Sequence, residues 1–268
     1  MGEIITSTGN ARVKETLRLR GQRGRAEGER ILIDGVREIG RAVEARVGIE
    51  EVFFCDRLLE EDDARRLLKR IDAGGAQVTQ VSETVFEKIR YGDRTGGLVA
   101  VARRPKIALN DLRLSPAPLV AVIEALEKPG NLGAIVRTAD AAGVEAILVV
   151  DPETDLYGPN AIRASLGTIF CVSVVETTTP EAIEWLQGKR LSIIAATPDG
   201  PTVYTDVDLR KPIAFVFGSE AEGLSAAWRN VDIIQASVPM RGRADSLNVA
   251  TTAALFFYEA LRQRNAVE

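Results

Sequence analysis

Short apolar runs recur through the first hundred residues, separated by longer stretches in which apolar positions return every three or four residues. The runs at 30–33 (RILI), 51–54 (EVFF), 77–81 (QVTQV) and 97–102 (GLVAVA) read as strands, and 38–46, 61–73 and 83–89 carry the helical period. This alternation predicts a small α/β layer. Residues 103–118 (RRPKIALNDLRLSPAP) keep no period, contain three prolines and read as a linker. Beyond it the pattern restarts with stronger runs: LVAVIEAL, AILVV, CVSVV, LSIIAAT, PIAFVFG and IIQASVP. Helical segments at 131–142, 159–166, 180–187 and 246–264 alternate with them. Near-continuous β-branched runs predict parallel strands covered on both faces. Ligands of such sheets collect at the carboxyl ends of the strands. The resulting expectation is an α/β chain with a small domain at 1–106, a linker at 107–117 and a parallel-sheet domain at 118–268.

Composition narrows the chemistry. Of 268 residues, 46% are hydrophobic and 27% charged, as in soluble globular proteins. No apolar run reaches membrane-spanning length and the opening MGEIITSTGN has no signal-peptide core, so a cytoplasmic protein without a membrane partner is expected. The chain has no histidine, which excludes histidine triads, histidine acid–base steps and histidine metal sites. Cys55 and Cys171 sit in strand-like runs and read as buried, reduced thiols; with no metal-ligand spacing between them, no metal is expected.

The net charge is −4, yet Arg12, Lys14, Arg18, Arg20, Arg23, Arg25 and Arg30 face only Glu15, Glu27 and Glu29 over the same stretch. Such a run reads either as a solvated helix face followed by a loop or as a phosphate-binding patch.

Three strand-end segments are rich in Gly, Asn, Ser and Pro. In EKPGNLGAIVRTADAAG, Pro129 and Gly130 make a turn, Asn131 can cap a helix, and Arg137 follows it at close to two turns. No G-x-G-x-x-G spacing occurs there, so a dinucleotide fingerprint is unsupported. In AFVFGSEAEGLS a buried strand runs into Gly218, Glu220 and Gly223, giving either a tight turn or a close ligand approach. In ASVPMRGRADSLNVATTAAL a strand ends at Val238 and Pro239, and a small-residue helix is expected to begin near Ser246, with Ser246 and Asn248 in its first turn. Its N-terminus would favour anionic groups.

Taken together, N-L-G-A-I-x-R-T at 131–138, G-S-E-x-x-G-L at 218–224 and V-P-M…S-L-N-V at 238–249 resemble the SpoU/TrmH class of SPOUT RNA methyltransferases over roughly 118–264. The stretch ITSTGNARVK…ERILIDGVREIGRAV is similar, less specifically, to the L30e-like substrate-binding domain that precedes many members. The resemblance implies a C-terminal sheet closed by a deep trefoil knot, a homodimer, and methyl transfer from S-adenosylmethionine to a ribose 2′-oxygen of structured RNA.

It also assigns roles. Arg137 would contact the RNA phosphate and the 2′-hydroxyl; since an arginine scarcely deprotonates, electrostatic activation of the hydroxyl is the expected role rather than base catalysis. Asn131 would orient Arg137 or the ribose, and Glu220 would hold the arginine or a polar group of the donor. Ser246 and Asn248 would both cap their helix and contact substrate or donor. Arg163, in NAIRASLG, matches an arginine that in some relatives reaches the neighbouring subunit's site; a plain surface arginine is the alternative. Donor contacts would come from Ala196, Thr197, Gly218, Glu220, Val238, Pro239, Met240, Ser246 and Leu247. The basic run at 12–30 would bind RNA by shape and phosphate. Lys128 departs from the pattern, standing where many members carry aspartate. Ribosomal RNA is the expected substrate ahead of transfer RNA; a catalytically silent RNA-binding or ribosome-assembly protein is the alternative of a different kind.

Overall fold

The computed structural model describes residues 4–21, 23–25, 29–59, 62–92 and 96–265; Glu27 and Glu61 of the stretches above lie outside them. The chain divides into two compact units, Met1–Pro105 with Asp155–Cys171, and Lys106–Thr154 with Val172–Glu268.

The first unit is built on a four-stranded sheet in the order β1 (Arg30–Asp34), β4 (Leu98–Arg103), β2 (Ile49–Phe54), β3 (Gln77–Gln80). β4 runs antiparallel to both neighbours, while β2 and β3 are parallel. Its alternating runs come from helices α1 (Ala11–Arg18), α2 (Val36–Glu44), α3 (Asp62–Ala73) and α4 (Glu83–Ile89). Asn10 caps α1 by accepting from the Arg12 amide, and Ser82 caps α4 through the Val85 amide. Val13, Leu32, Phe53, Phe86, Ile89 and Val99 form its core. The short helix α5 (Pro159–Ala164) lies against β1.

Two buried polar groupings hold this unit. Arg25, 6% exposed, pairs with Asp155 at 2.5 Å and donates to the Leu19 carbonyl, while Arg104 reaches the other Asp155 oxygen. Asp34 accepts from the Tyr91 amide at 2.6 Å. Burial pushes Asp34 up to about 6, outweighing that amide and the Arg163 charge, which both favour the carboxylate.

The second unit is a seven-stranded sheet in the order β7 (Ser173–Thr177), β6 (Ala146–Val150), β5 (Leu119–Glu124), β10 (Ile213–Phe217), β8 (Ser192–Ala196), β11 (Ile233–Ser237), β9 (Thr202–Val203). Every pairing is parallel, as the unbroken apolar runs predict. From β5 the chain winds outward through β6 to β7, returns on the other side at β8, and later inserts β10 between β5 and β8. The reversal of winding opens a crevice at the carboxyl ends of β5, β10 and β8.

Strand β10 is buried on both faces. Ala214 and Val216 enter the core with Trp185 and Trp228, while Phe215 and Phe217 turn to the opposite face, two residues apart as the pleat requires. There they meet α8 (Val249–Asn265) edge-on: Phe215–Phe256 centroids are 5.3 Å apart and Phe217–Phe257 5.9 Å. Helices α6 (Pro129–Ala142) and α8 lie against each other. Helix α7 (Thr179–Gly188) starts with a capping box between Thr178 and Glu181.

Three local expectations are corrected. The last helix starts at Val249 rather than near Ser246, because Asn248 caps it. Cys171 is exposed at the end of a 3-10 turn and precedes its strand, whereas Cys55 is buried. The stretch at 103–118 is no free linker: Arg103 ends β4 of the first unit, and from Lys106 the chain belongs to the second, where Leu112 joins the core and Ser115 hydrogen-bonds Glu145 through amide and hydroxyl. Among the described residues no helix is long and apolar enough to cross a membrane.

Because Asp34 holds its proton in the folded chain to higher pH than in the unfolded one, folding binds protons between about pH 4 and about 6, and stability falls as pH rises through that window. Urea unfolding at a series of pH values is expected to show this decline, and Asp34→Asn, which keeps an acceptor for the Tyr91 amide, to flatten it.

Candidate active site

The crevice of the second unit is bounded by three chain segments. The first links β5 to α6. Pro129 occupies the first turn of α6, where its missing N–H costs nothing, and Asn131 follows in the same turn.

The second segment leaves β10 at Gly218. A Cβ at Gly218 would run into the Gly223 backbone, and Gly223 has φ +70. Both glycines are therefore required for the tight loop that Ser219 and Gly223 close by mutual amide–carbonyl bonds. Glu220 sits at its tip.

The third segment runs from Val238 to Asn248. Asn248 accepts from the Ala250 amide at 3.0 Å and its carbonyl accepts from the Thr252 amide, the geometry of an N-cap.

The three segments meet at Glu220. Its Oε1 accepts from Asn131 Nδ2 at 2.6 Å and from Asn248 Nδ2 at 3.1 Å, and Asn248 Nδ2 also reaches Asn131 Oδ1 at 3.2 Å. Its Oε2 is paired with Lys128 Nζ. That lysine, with the Asn131 amide, holds Glu220 below the usual carboxylate range, and Glu220 in turn raises Lys128.

Beside this network lies a cavity of about 560 Å³ whose wall includes Phe217 and Phe256. Of the residues expected to bind a donor, Ala196, Thr197, Gly218, Glu220, Val238, Met240, Ser246 and Leu247 line it, and Pro239 does not. The charged residues lining it are Glu220, Glu222 and Asp245, with neither lysine nor arginine among them. Such a wall favours a ligand that carries positive charge. Thr197 Oγ1 is buried there without a hydrogen-bond partner among the described residues, a group that a ligand could satisfy. A cation on an adenosyl-sized molecule fits this cavity.

Other expected site residues stand elsewhere. Ser246 lines the cavity but makes no capping bond; Asn248 alone caps. Arg137 is exposed on α6 and outside the network. Six residues of helix rotate it about 120° away from Asn131, so the two point in different directions. Glu220 therefore holds Lys128 and the two asparagines rather than Arg137. Arg163 belongs to the first unit, where it donates to the Tyr91 carbonyl at 3.1 Å.

The basic run also divides. Arg12 is engaged by Glu51 and Thr79 over the buried Phe53 ring, Arg30 pairs with Glu15, and Arg25 is buried against Asp155. Lys14, Arg18, Arg20 and Arg23 are exposed, Arg20 also touching the Lys88 carbonyl and the Tyr91 ring.

Residues 118–258 match the SpoU rRNA Methylase family, and residues 10–100 match the MRM3-like substrate binding domain. The chain belongs to the SpoU rRNA methylase family. It is 30% identical over 267 residues to a 23S rRNA (uridine(2479)-2′-O)-methyltransferase of Streptomyces viridochromogenes, covering 97% of this chain and 92% of the relative. A solved RNA 2′-O ribose methyltransferase is 41% identical with a TM-score of 0.84, covering 98% of this chain and all of that one. An AdoMet-bound rRNA methyltransferase from Sinorhizobium meliloti has a TM-score of 0.88 at 27% identity, with 97% of each chain covered. The resemblance to the SpoU family is thus upheld, together with the parallel-sheet architecture and the substrate-binding domain ahead of it.

One buried side chain of this SpoU fold was not expected to matter. Glu124, 4% exposed at the end of β5, accepts from the Ser225 amide and hydroxyl and from the Thr179 hydroxyl, so it pins the far end of the Glu220 loop. The visible signal was a lone carboxylate closing an apolar strand, LVAVIE.

The caps separate two residues that look alike in sequence. Asn248→Ala is expected to cost about 1 kcal/mol or somewhat more in urea unfolding, since it removes a helix cap and two network bonds. Ser246→Ala is expected to leave stability within about 0.5 kcal/mol.

Proposed function

We infer that this chain transfers a methyl group from S-adenosylmethionine to a ribose 2′-oxygen of ribosomal RNA. The observation that carries the reading is the convergence of three distant motifs on one acid-lined cavity, with the Asn131–Glu220–Asn248 network at its edge. The family match, and relatives whose names specify 2′-O-methylation of rRNA, support it. So does a structural relative that binds AdoMet.

Bound in the cavity, the donor supplies a methyl already activated on a cationic sulfonium sulfur. The chain's own contribution is placement and charge. Loop backbone at Thr197, Gly218 and Leu247, the Thr197 hydroxyl and the aromatic wall hold the adenosyl part, and the carboxylates favour the positive charge. Glu220 fixes Asn131 and Asn248 at the edge where the ribose enters. The 2′-hydroxyl, in giving its oxygen to the methyl, would release its proton to solvent. Arg137 points away from this edge within its own chain, so its guanidinium would act on a ribose held at a partner's edge, lowering the hydroxyl pKa and pinning the adjacent phosphate.

The reading extends to a homodimer and a knotted C-terminal sheet in a cytoplasmic protein, as the resemblance implies. An exposed strip on α6 and α8 with Arg137, Ala141 and Tyr258, the last half exposed, offers a surface through which Arg137 could serve a partner's ribose; Arg163 would act in the same way. In the L30e-like first unit, Lys14, Arg18, Arg20 and Arg23 supply phosphate contacts that an acidic protein needs to hold RNA.

Labelled donor incubated with purified ribosomal and transfer RNA is expected to mark the ribosomal RNA, with 2′-O-methylribose located by mass spectrometry. Arg137→Ala is expected to lower the rate about 100-fold or more while RNA binding persists. Marking of transfer RNA alone would move the substrate, and no transfer to either would leave the silent RNA-binding alternative.

A further inference from the structure

Lys128 stands at the head of α6, just before Pro129, and the structure gives it a partner. It is the N-cap residue of α6, yet its side chain makes no capping bond. Instead it extends to Glu220 Oε2, across 92 residues of sequence. The pair is well exposed, Lys128 at 64% and Glu220 at 30%, so its contribution to stability is small. What it decides is which carboxylate oxygen is occupied. With Oε2 on the lysine, Oε1 is left to receive both the Asn131 and Asn248 amides.

We propose that Lys128 is a positioning residue for methyl transfer, holding one Glu220 oxygen so that the other gathers the two asparagines. This rests on the functional reading above. Other carboxylates stand near the pair. Glu222 of the same loop and Asp245 of the third segment line the adjoining cavity, and Glu127 neighbours Lys128 in sequence. Lys128 is the cation that acts on Glu220, whose carboxylate it favours. Without it, Glu220 Oε2 loses its partner and the carboxylate takes up a proton more readily. With Oε2 no longer held the carboxylate can turn, and in acid a protonated Glu220 is a weaker acceptor for the two amides, so the Asn131–Asn248 arrangement loosens.

The test pairs a titration with kinetics on the full chain. The Glu220 carboxyl is followed by carbon-13 NMR in the protein without donor, assigned with Glu220→Gln, in the wild type and in Lys128→Met, Lys128→Gln and Lys128→Arg. Methyl transfer to ribosomal RNA is measured across the same pH range. The expected result is a higher Glu220 midpoint in the Met and Gln variants than in the wild type, with the acid limb of kcat moved in the same direction by the same amount. Lys128→Arg should restore both. An active wild type whose Glu220 titration is unmoved by Lys128→Met and Lys128→Gln overturns the inference alone. So does a variant that raises only KM for RNA with an unchanged pH profile, the mark of a phosphate contact. A wild type that transfers no methyl overturns the functional reading instead.

Discussion

A single carboxylate collects what the chain keeps far apart. Asn131 and Glu220 are separated by 89 residues and Asn131 and Asn248 by 117, yet their polar atoms meet within hydrogen-bonding distance. Local propensity does not produce such a meeting; it requires β5, β10 and the start of α8 to end at the same place. The insertion of β10 between β5 and β8 makes that possible, because each loop then leaves the sheet at its carboxyl edge. Burial of β10 on both faces fixes the edge, with Phe215 and Phe217 locked against α8 and Ala214 and Val216 in the opposite core. Glu124 anchors the far end of the Glu220 loop to β5. Site geometry and core packing are therefore one construction.

Under the proposed function, the charge layout suits two different ligands. A protein with net charge −4 must attract both a cationic donor and polyanionic RNA. Acidic side chains line the cavity, suited to a sulfonium. Exposed basic side chains lie on the first unit, suited to phosphate. Only part of that basic run is available for RNA. Arg25 is spent on a buried pair with Asp155, where removal of either partner would strand a charge away from water. Arg12 and Arg30 are drawn into ion pairs of the fold.

The motifs and the apolar periods were legible without coordinates. Apolar runs of five or six residues can be buried only as parallel strands or short core segments, and all six long runs of the second unit became strands. Spacing within a motif was legible too: N-L-G-A, G-S-E and S-L-N each lie on a single turn or loop. Misjudged points were those where a side chain chooses among local options. Ser246 and Asn248 both can cap; the backbone placed Asn248 at the helix boundary. Arg137 follows Asn131 at close to two turns, but the six-residue step leaves them on different faces.

By itself the sequence determined the fold class, the family and the set of residues from which a site could be assembled, because these depend on local periods and short motifs. Only the tertiary structure decided who touches whom. Glu220 could have held an arginine; it holds Lys128, Asn131 and Asn248. Glu124 could have been one more strand-end carboxylate; it pins Ser225 from 101 residues away. Arg25 could have bound phosphate; it is buried. In each case the partner lies far along the chain, and which of several possible partners a charge finds is set by where the sheet brings the loops together.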